Sequence, residues 1–90
     1  MIDKMCVQQI GNKQNIVITE KYCCFFSYNS YIANYNFETK KLVLFNNWDY
    51  SRTTLKYLYK FLRDFTCYEY KNKKEIEKAL KNKEIEISEK

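Results

Sequence analysis

The sequence predicts an α+β domain: an antiparallel β-sheet of about four strands packed by one main amphipathic helix, together with a short C-terminal helix. Two patterns predict this class. Residues 5–45 alternate segments rich in β-branched and aromatic side chains with turn-forming residues, which is typical of short strands. From residue 51 onward the apolar residues recur every three or four positions, which is the period of a helix. Because 90 residues suffice for one domain and are too few for two, residues 1–90 are predicted to form a single domain.

Two hairpins are predicted in the first half of the chain. Strands at 5–10 and 15–20 flank the turn GNKQ, whose glycine and asparagine suit the backbone angles of a hairpin. The aromatic segment 22–37 and the strand 41–45 flank the polar turn ETKK and form the second hairpin. The turn formers SYNS at 27–30 interrupt the aromatic segment, so the third strand either contains a bulge or splits in two.

The main helix is predicted over residues 52–65. Ser51 is a preferred N-cap residue immediately before it. At 100° per residue, the apolar side chains that follow fall within an arc of about 120°, which is wide enough to face a core. These side chains are Leu55, Leu58, Phe61, Leu62 and Phe65. The helix should therefore lie across one face of the sheet, because neither layer can bury its apolar side alone.

A shorter helix is predicted over residues 73–82. Asn72 can cap it, and Glu75, three positions later, completes a capping box. The segment EIEI at 84–87 alternates apolar and charged residues, so it either forms a short edge strand or extends the helix.

The residue types present argue against catalysis. The chain contains no histidine, which removes the commonest general base and metal ligand. It also lacks a glycine-rich phosphate loop, a GxSxG motif and a clustered pair of carboxylates. We therefore expect a protein that is not an enzyme and that binds no cofactor.

The cysteines suggest neither a metal site nor a disulfide framework. They are Cys6, Cys23, Cys24 and Cys67. No two of them form a CxxC pair, and the adjacent Cys23 and Cys24 would point to opposite faces of a strand, so no metal is expected. The sequence has no apolar run of about 18 residues and no secretory signal, which predicts a cytoplasmic protein with no membrane contact. In that compartment thiols stay reduced, and we expect them to be free and buried.

One row of positive charge is the leading candidate for a binding surface. Of the net charge of +5, residues 51–90 carry +4, from 11 Lys and Arg against 7 Asp and Glu. On the main helix the basic residues fall within one sector of about 80°, opposite the apolar arc, with Tyr59 at its edge and Tyr50 just before the helix. The four basic residues are Arg52, Lys56, Lys60 and Arg63, and we call them the basic face.

The basic face has three interpretations. It could simply be the solvated side of a packed helix, since Lys and Arg are good helix formers. It could follow a phosphate backbone, with Tyr59 or Tyr50 stacking on an exposed base. It could also dock on the acidic surface of a protein.

The aromatic segment raises a second possibility, a surface on which bases stack. Strand alternation predicts Cys24, Phe26, Tyr28 and Ile32 on one face and Phe25, Tyr31, Tyr35 and Phe37 on the other. The main helix can cover only one of these faces. The other is then an exposed aromatic surface, unless the C-terminal helix covers it or a bulge at SYNS reverses the alternation.

Two segments resemble a family of small proteins encoded by phages and prophages: SYNSYIA at 27–33 and WDYSRTTLKYLYKFL at 48–62. Members of that family share an S-Y-x-T/S-x-[VI]-A strand followed by a helix that starts S-x-T-T-S-[KR]-H. The matching strand residues are Ser27, Tyr28, Ser30, Ile32 and Ala33, and the matching helix residues are Ser51, Thr53, Thr54 and Lys56. The chain departs from the pattern at Leu55 and Tyr57, where the family usually has Ser and His.

The resemblance implies a small protein of a mobile element. Such proteins often bind and block a host machine, including defence systems such as CRISPR effectors. The function expected is therefore that of a non-enzymatic, anti-CRISPR-like inhibitor in the host cytoplasm, whose partner is a host protein or ribonucleoprotein complex. The alternative is a small nucleic-acid-binding protein that uses the basic face. Either a monomer or a homodimer is compatible with the sequence.

Overall fold

A computed structural model of the protein describes residues 6–88 and shows an α+β fold in which two helices lie on a six-stranded sheet. The predicted class is confirmed. In chain order the elements are β1 (Cys6–Gly11), β2 (Gln14–Ile18), β3 (Tyr22–Ser27), β4 (Ser30–Asn36), β5 (Leu42–Phe45), α1 (Arg52–Phe65), α2 (Lys73–Lys81) and β6 (Glu86–Ser88).

The sheet is a meander with one added strand. Its spatial order is the order of the sequence, and β1 to β5 pair antiparallel through short turns. After β5 the chain passes through both helices and returns as β6, which pairs parallel to β5 with Val43 opposite Glu86. A parallel neighbour requires such a long crossover, because a short turn can only reverse the chain. The sheet thus has six strands, where the sequence predicted about four, and one of its pairings is parallel.

The third predicted strand splits in two. Tyr28 and Asn29 form a two-residue turn between β3 and β4, with φ of 50° and 67°. Both values lie in the left-handed region that such tight hairpin turns require. The segment therefore splits in two, and the other alternative, a bulge, also occurs, in β4. The split accounts for one of the two additional strands, and β6 accounts for the other.

A bulge in β4 corrects the predicted faces of the aromatic segment. Phe25 pairs with Ala33 whereas Phe26 pairs with Tyr31, so Ile32 is an extra residue in β4. Ile32 and Ala33 are both fully buried. The predictions that Ile32 shares a face with Phe26, and that Tyr31 shares one with Phe25, are therefore wrong. The bulge shifts the alternation by one residue, and sequence alternation alone could not place it.

The core lies between the sheet and the helices. On α1 the fully buried side chains are Leu58, Phe61 and Leu62, and the ring of Phe61 stacks on Phe25 of β3 with centroids 5.7 Å apart. On α2, Ile76 and Ala79 belong to the same buried cluster. Both helices therefore cover the same face of the sheet, and their bounds agree with the predicted ranges to within one residue.

The segment after α2 completes the sheet. The helix ends at Lys81, and Lys83 has a φ of 61°, which turns the chain away from the helix axis. Ile85 is only 3% exposed and packs into the core, and the edge strand β6 follows it. Of the two alternatives for residues 84–87, the edge strand is the one that forms. Within residues 6–88, neither helix is both long and apolar enough to cross a membrane.

Candidate partner-binding surface

Hydrogen bonds fix the start of α1 to the sheet. The hydroxyl of Ser51 accepts a hydrogen bond from the backbone N–H of Thr54 at 3.1 Å, which confirms Ser51 as the N-cap. The hydroxyl of Thr54 is itself hydrogen-bonded to the hydroxyl of Ser27 in β3 at 2.9 Å, and both side chains are buried. The SYNSYIA and SRTT segments thus meet in space. Their shared hydroxyls have a structural role, holding the helix start against the sheet.

The four basic residues lie where the wheel predicts. Arg52, Lys56, Lys60 and Arg63 are all exposed, on the side of α1 opposite its buried residues. At 1.5 Å per residue, the row they form is about 17 Å long. The helix that carries these charges is packed against the sheet.

Few of these charges are neutralised. Arg63 forms an ion pair with Asp64, Nε to Oδ1 at 3.1 Å, but both side chains are largely exposed, so the pair is weak. Across the described residues 6–88, no salt bridge involves Arg52, Lys56 or Lys60. The ammonium group of Lys56 lies 5.7 Å from the centre of the Tyr57 ring, which leaves its charge in place. Three of the four cations are therefore available to a ligand.

The two tyrosines of the predicted site differ. Tyr50 is 71% exposed and free to contact a partner. Tyr59 is half-buried against the core, and this burial raises the pKa of its hydroxyl. Part of its ring is therefore packed against the core, and Tyr50 is the better candidate for stacking on a base.

A groove joins the basic face to the first strand. It has a volume of about 340 Å³, and we call it the basic groove. It is lined by Ile10, Lys56, Tyr57, Tyr59, Lys60 and Arg63. The ring of Tyr57 lies over Gly11, where an added Cβ would come within 2.4 Å of the tyrosine Cζ. A side chain at position 11 would therefore displace the end of the Tyr57 ring.

The sequence predicts that Gly11 lies in a turn. It gives no indication that Ile10 or Tyr57 lies beside the basic face. The available signal was weak. Gly11 is the sole glycine of the chain and ends a strand, and a glycine at such a position often marks the close approach of another element. Which element approaches it is decided only by the packing of α1.

The sheet face away from the helices is covered by neither helix and carries a row of half-buried aromatic side chains, the aromatic row. Phe26, Tyr31 and Phe45 lie side by side across β3, β4 and β5, with centroids 4.8 and 4.2 Å apart. Neither helix contributes to the shallow depressions on this face. Of the alternatives left open for this face, cover by the C-terminal helix does not occur, because Ile76 and Ala79 of that helix join the core on the opposite face.

The aromatic row is poorly arranged for base stacking. Its rings lie against one another, so a base would have to separate them to reach the faces between them. The hydroxyl of Tyr31 also accepts a hydrogen bond from the Asn34 side chain at 2.7 Å and contacts the Cys24 thiol at 3.2 Å. These two contacts hold Tyr31, the middle residue of the aromatic row, in place, which favours a structural role for the row.

The thiols are free, and only one is fully buried. Cys23 is buried, Cys24 is half-buried, and Cys6 and Cys67 are exposed, so the prediction of buried thiols holds for Cys23 alone. Burial, helped by the neighbouring Cys24, raises the pKa of Cys23 to about 12, and burial also raises the pKa of Cys24. A thiol in such a setting stays protonated and is a poor nucleophile. In the described part of the chain, no three Cys, Asp or Glu side chains are grouped so as to hold a metal ion.

A family match spans most of the chain. Residues 5–83, which are 79 of the 90, match DUF8033, a family of unknown function. The match takes in all of the basic face, the basic groove and the hydroxyl contacts that fix α1. Comparison with curated proteins and with solved structures gave no significant match. The chain belongs to the DUF8033 family.

Proposed function

We propose that this protein is a non-enzymatic binding protein that attaches through the basic face of α1 to an acidic surface on a partner protein. One observation carries the proposal: the cations of Arg52, Lys56 and Lys60 stand exposed on one side of a firmly anchored helix, with no salt bridge among the described residues. Charged groups that already have partners on their own protein gain little from a ligand. Within residues 6–88 these three have no such partners.

The anchoring of the helix strengthens the proposal. Because Leu58 and Phe61 are fully buried and the helix start is hydrogen-bonded to β3, the row of charges is held in place before a partner arrives. Preorganisation lowers the entropy lost on binding. Complementary charge then speeds association and disfavours basic partners.

The resemblance to phage and prophage proteins suggests the kind of partner. We propose that the protein inhibits a host protein machine in the host cytoplasm, for example a defence system such as a CRISPR effector. Blocking such a machine needs a well-shaped surface and no catalysis, which agrees with a chain that contains no histidine.

A matched pair of charge reversals tests this proposal. Lys56→Glu with Lys60→Glu reverses the centre of the basic face, whereas Lys74→Glu with Lys78→Glu makes the same change in net charge on exposed positions of α2. We expect wild-type protein and the α2 variant to retain the same partner from host lysate, in quantitative mass spectrometry of the captured proteins. The basic-face variant should lose it, with circular dichroism unchanged. Equal recovery by both variants would contradict the proposal.

Nucleic-acid binding is the second candidate, favoured by the exposed ring of Tyr50 beside the row of cations. Phosphate contacts release counterions, so the affinity for labelled single- or double-stranded DNA or RNA should fall steeply between about 50 and 200 mM salt. Fluorescence anisotropy of the same two variants tests this candidate. If the basic-face variant binds all these probes as wild type does, the candidate fails.

A further inference from the structure

We infer that the partner binds as an extended acidic segment, which adds a strand to the free edge of β1 and places alternate carboxylates in the basic groove. This inference rests on the proposed function and adds a binding geometry to it. Its three supports are the exposed edge of β1, the groove that joins this edge to the basic face, and the charge around both.

The edge of β1 is open to pairing. In the sheet of residues 6–88, β1 is an outermost strand that pairs only with β2, so the backbone groups on its other side face outward. Edge strands usually carry a charge or a proline that discourages pairing. The six residues CVQQIG of β1 contain neither, and the one irregularity in the pairing of β1 with β2 lies between Gln9 and Gly11, at the turn end of the strand. The opposite edge, β6, is only three residues long and includes Glu86.

The basic groove determines which side chains a strand added at this edge would contact. Ile10 of β1 lines the same groove as Lys56, Lys60 and Arg63 of α1. A strand added to β1 would lie about 4.8 Å outside it, next to the basic face. Alternate side chains of that strand would point to the helix side. Lys56 and Lys60 are about 6 Å apart along the helix, close to the spacing of about 7 Å between alternate side chains of a strand.

The other side chains of the added strand would meet a different surface. They would point to the open face of the sheet, where Val7 of β1 is 65% exposed and lines a shallow depression with Val17 and Phe26. Apolar side chains fit there. The expected ligand is therefore a strand in which acidic and apolar residues alternate.

Two other occupants fit this edge less well than an acidic peptide does. A second copy paired antiparallel through β1 would bring two basic faces to the same side of one continuous sheet, where they would repel. A nucleic acid has no peptide groups with which to continue the ladder. An acidic peptide carries charge that the basic face attracts, and it has the peptide groups needed to continue the ladder.

Three labelled peptides of about eight residues, long enough to cover β1, test the inference with the full chain. The first alternates Glu and Val, the second alternates Lys and Val, and the third repeats the first with every residue N-methylated, because the N–H groups of successive residues in a strand point to opposite sides. N-methylation removes backbone donors and keeps the charge. In fluorescence anisotropy we expect the Glu–Val peptide to bind, and each of the other two to bind at least about tenfold more weakly.

Variants of the protein test separately the two contributions to binding, backbone pairing at the edge of β1 and attraction by the charge of the basic face. Neighbouring residues of an antiparallel edge strand alternate between bonding to β2 and pointing outward, so one of Gln8→Pro and Gln9→Pro blocks only the outer edge. Thermal unfolding identifies that variant as the one that keeps wild-type stability. It should bind the Glu–Val peptide about tenfold more weakly, and so should Lys56→Glu with Lys60→Glu.

The outcomes distinguish this inference from the function on which it rests. Equal binding of the Glu–Val peptide and its N-methylated form refutes strand addition and leaves charge-driven docking standing. Unchanged binding by the Lys56→Glu, Lys60→Glu variant refutes both. If the Glu–Val peptide does not bind at about 1 mM, where contacts worth about 4 kcal/mol are detectable, the inference is wrong.

Discussion

Thr54 shows how one side chain links the sequence motifs to the fold. Its backbone N–H donates to the N-cap Ser51, and its hydroxyl meets both Ser51, at 3.1 Å, and Ser27 of β3, at 2.9 Å. The sequence alone predicted the cap. The contact with Ser27 joins α1 to a neighbouring strand, at a residue 27 positions earlier in the chain.

Replacing Thr54 and Ser27 together should cost less stability than the sum of the two single replacements. Thr54→Val leaves the buried hydroxyl of Ser27 without that partner, so we expect a loss of about 1–3 kcal/mol in the free energy of unfolding. Adding Ser27→Ala removes the unpaired group, and the double variant should lose less than the sum of the two single variants. Urea unfolding of all four proteins measures this. Strictly additive losses would show that the two hydroxyls do not interact.

At the scale of elements, the short strand β6 depends on a residue just before it. Ile85 is 3% exposed and belongs to the core, whereas Ile87, within β6, is 45% exposed. The sequence shows both as apolar positions of one alternating segment, EIEI. The structure shows that Ile85 anchors the segment, while β6 itself adds only three residues to the edge of β5.

A pair of substitutions tests the anchor. Ile85→Ala removes a buried side chain and should lower the free energy of unfolding by about 2–4 kcal/mol, through lost burial and the cavity left behind. Ile87→Ala, its control, should cost less than about 1 kcal/mol, because that side chain is already half-exposed. Chemical denaturation gives both values. Similar losses from the two variants would mean that β6 is held mainly by its own side chain.

On the scale of the whole molecule, burial of polar groups links the stability of the fold to pH. Burial raises the pKa of the Cys23 thiol from 9.0 to about 12, and the pKa values of Cys24 and Tyr31 are raised in the same direction. Below pH 9 these groups are protonated in both the folded and the unfolded chain. Above it they ionise more easily in the unfolded chain, so alkali favours unfolding.

Cys23 should therefore contribute to a loss of stability between about pH 9 and about pH 12. We expect the melting temperature to fall as the pH rises through the lower part of this window, and to fall less steeply in Cys23→Ala. Cys6→Ala, which removes an exposed thiol, is the matched control and should keep the wild-type slope. Differential scanning fluorimetry at a series of pH values gives the slopes. If Cys23→Ala has the slope of wild type, ionisation of that thiol does not limit stability.

Much of the secondary structure was predictable, because local signals specify it. The cap at Ser51, the capping box at Asn72 and the helical period of the apolar residues gave both helices to within one residue. The basic face followed from the same period, since residues that share one side of a helix share it in any fold that keeps the helix. The bulge at Ile32 was not predictable, because two buried residues in succession look like any other apolar pair.

The sequence by itself determined the α+β class, both helices and the presence of four cations on one side of α1, because these depend on contacts between near neighbours in the chain. Only the tertiary structure decided that both helices cover one face of the sheet, that β6 returns parallel to β5, and that Ile10 and Tyr57 bring the basic face to the open edge of β1. Each of these depends on packing between residues far apart in sequence. Such packing depends on the fit between whole surfaces, which a local sequence pattern does not specify.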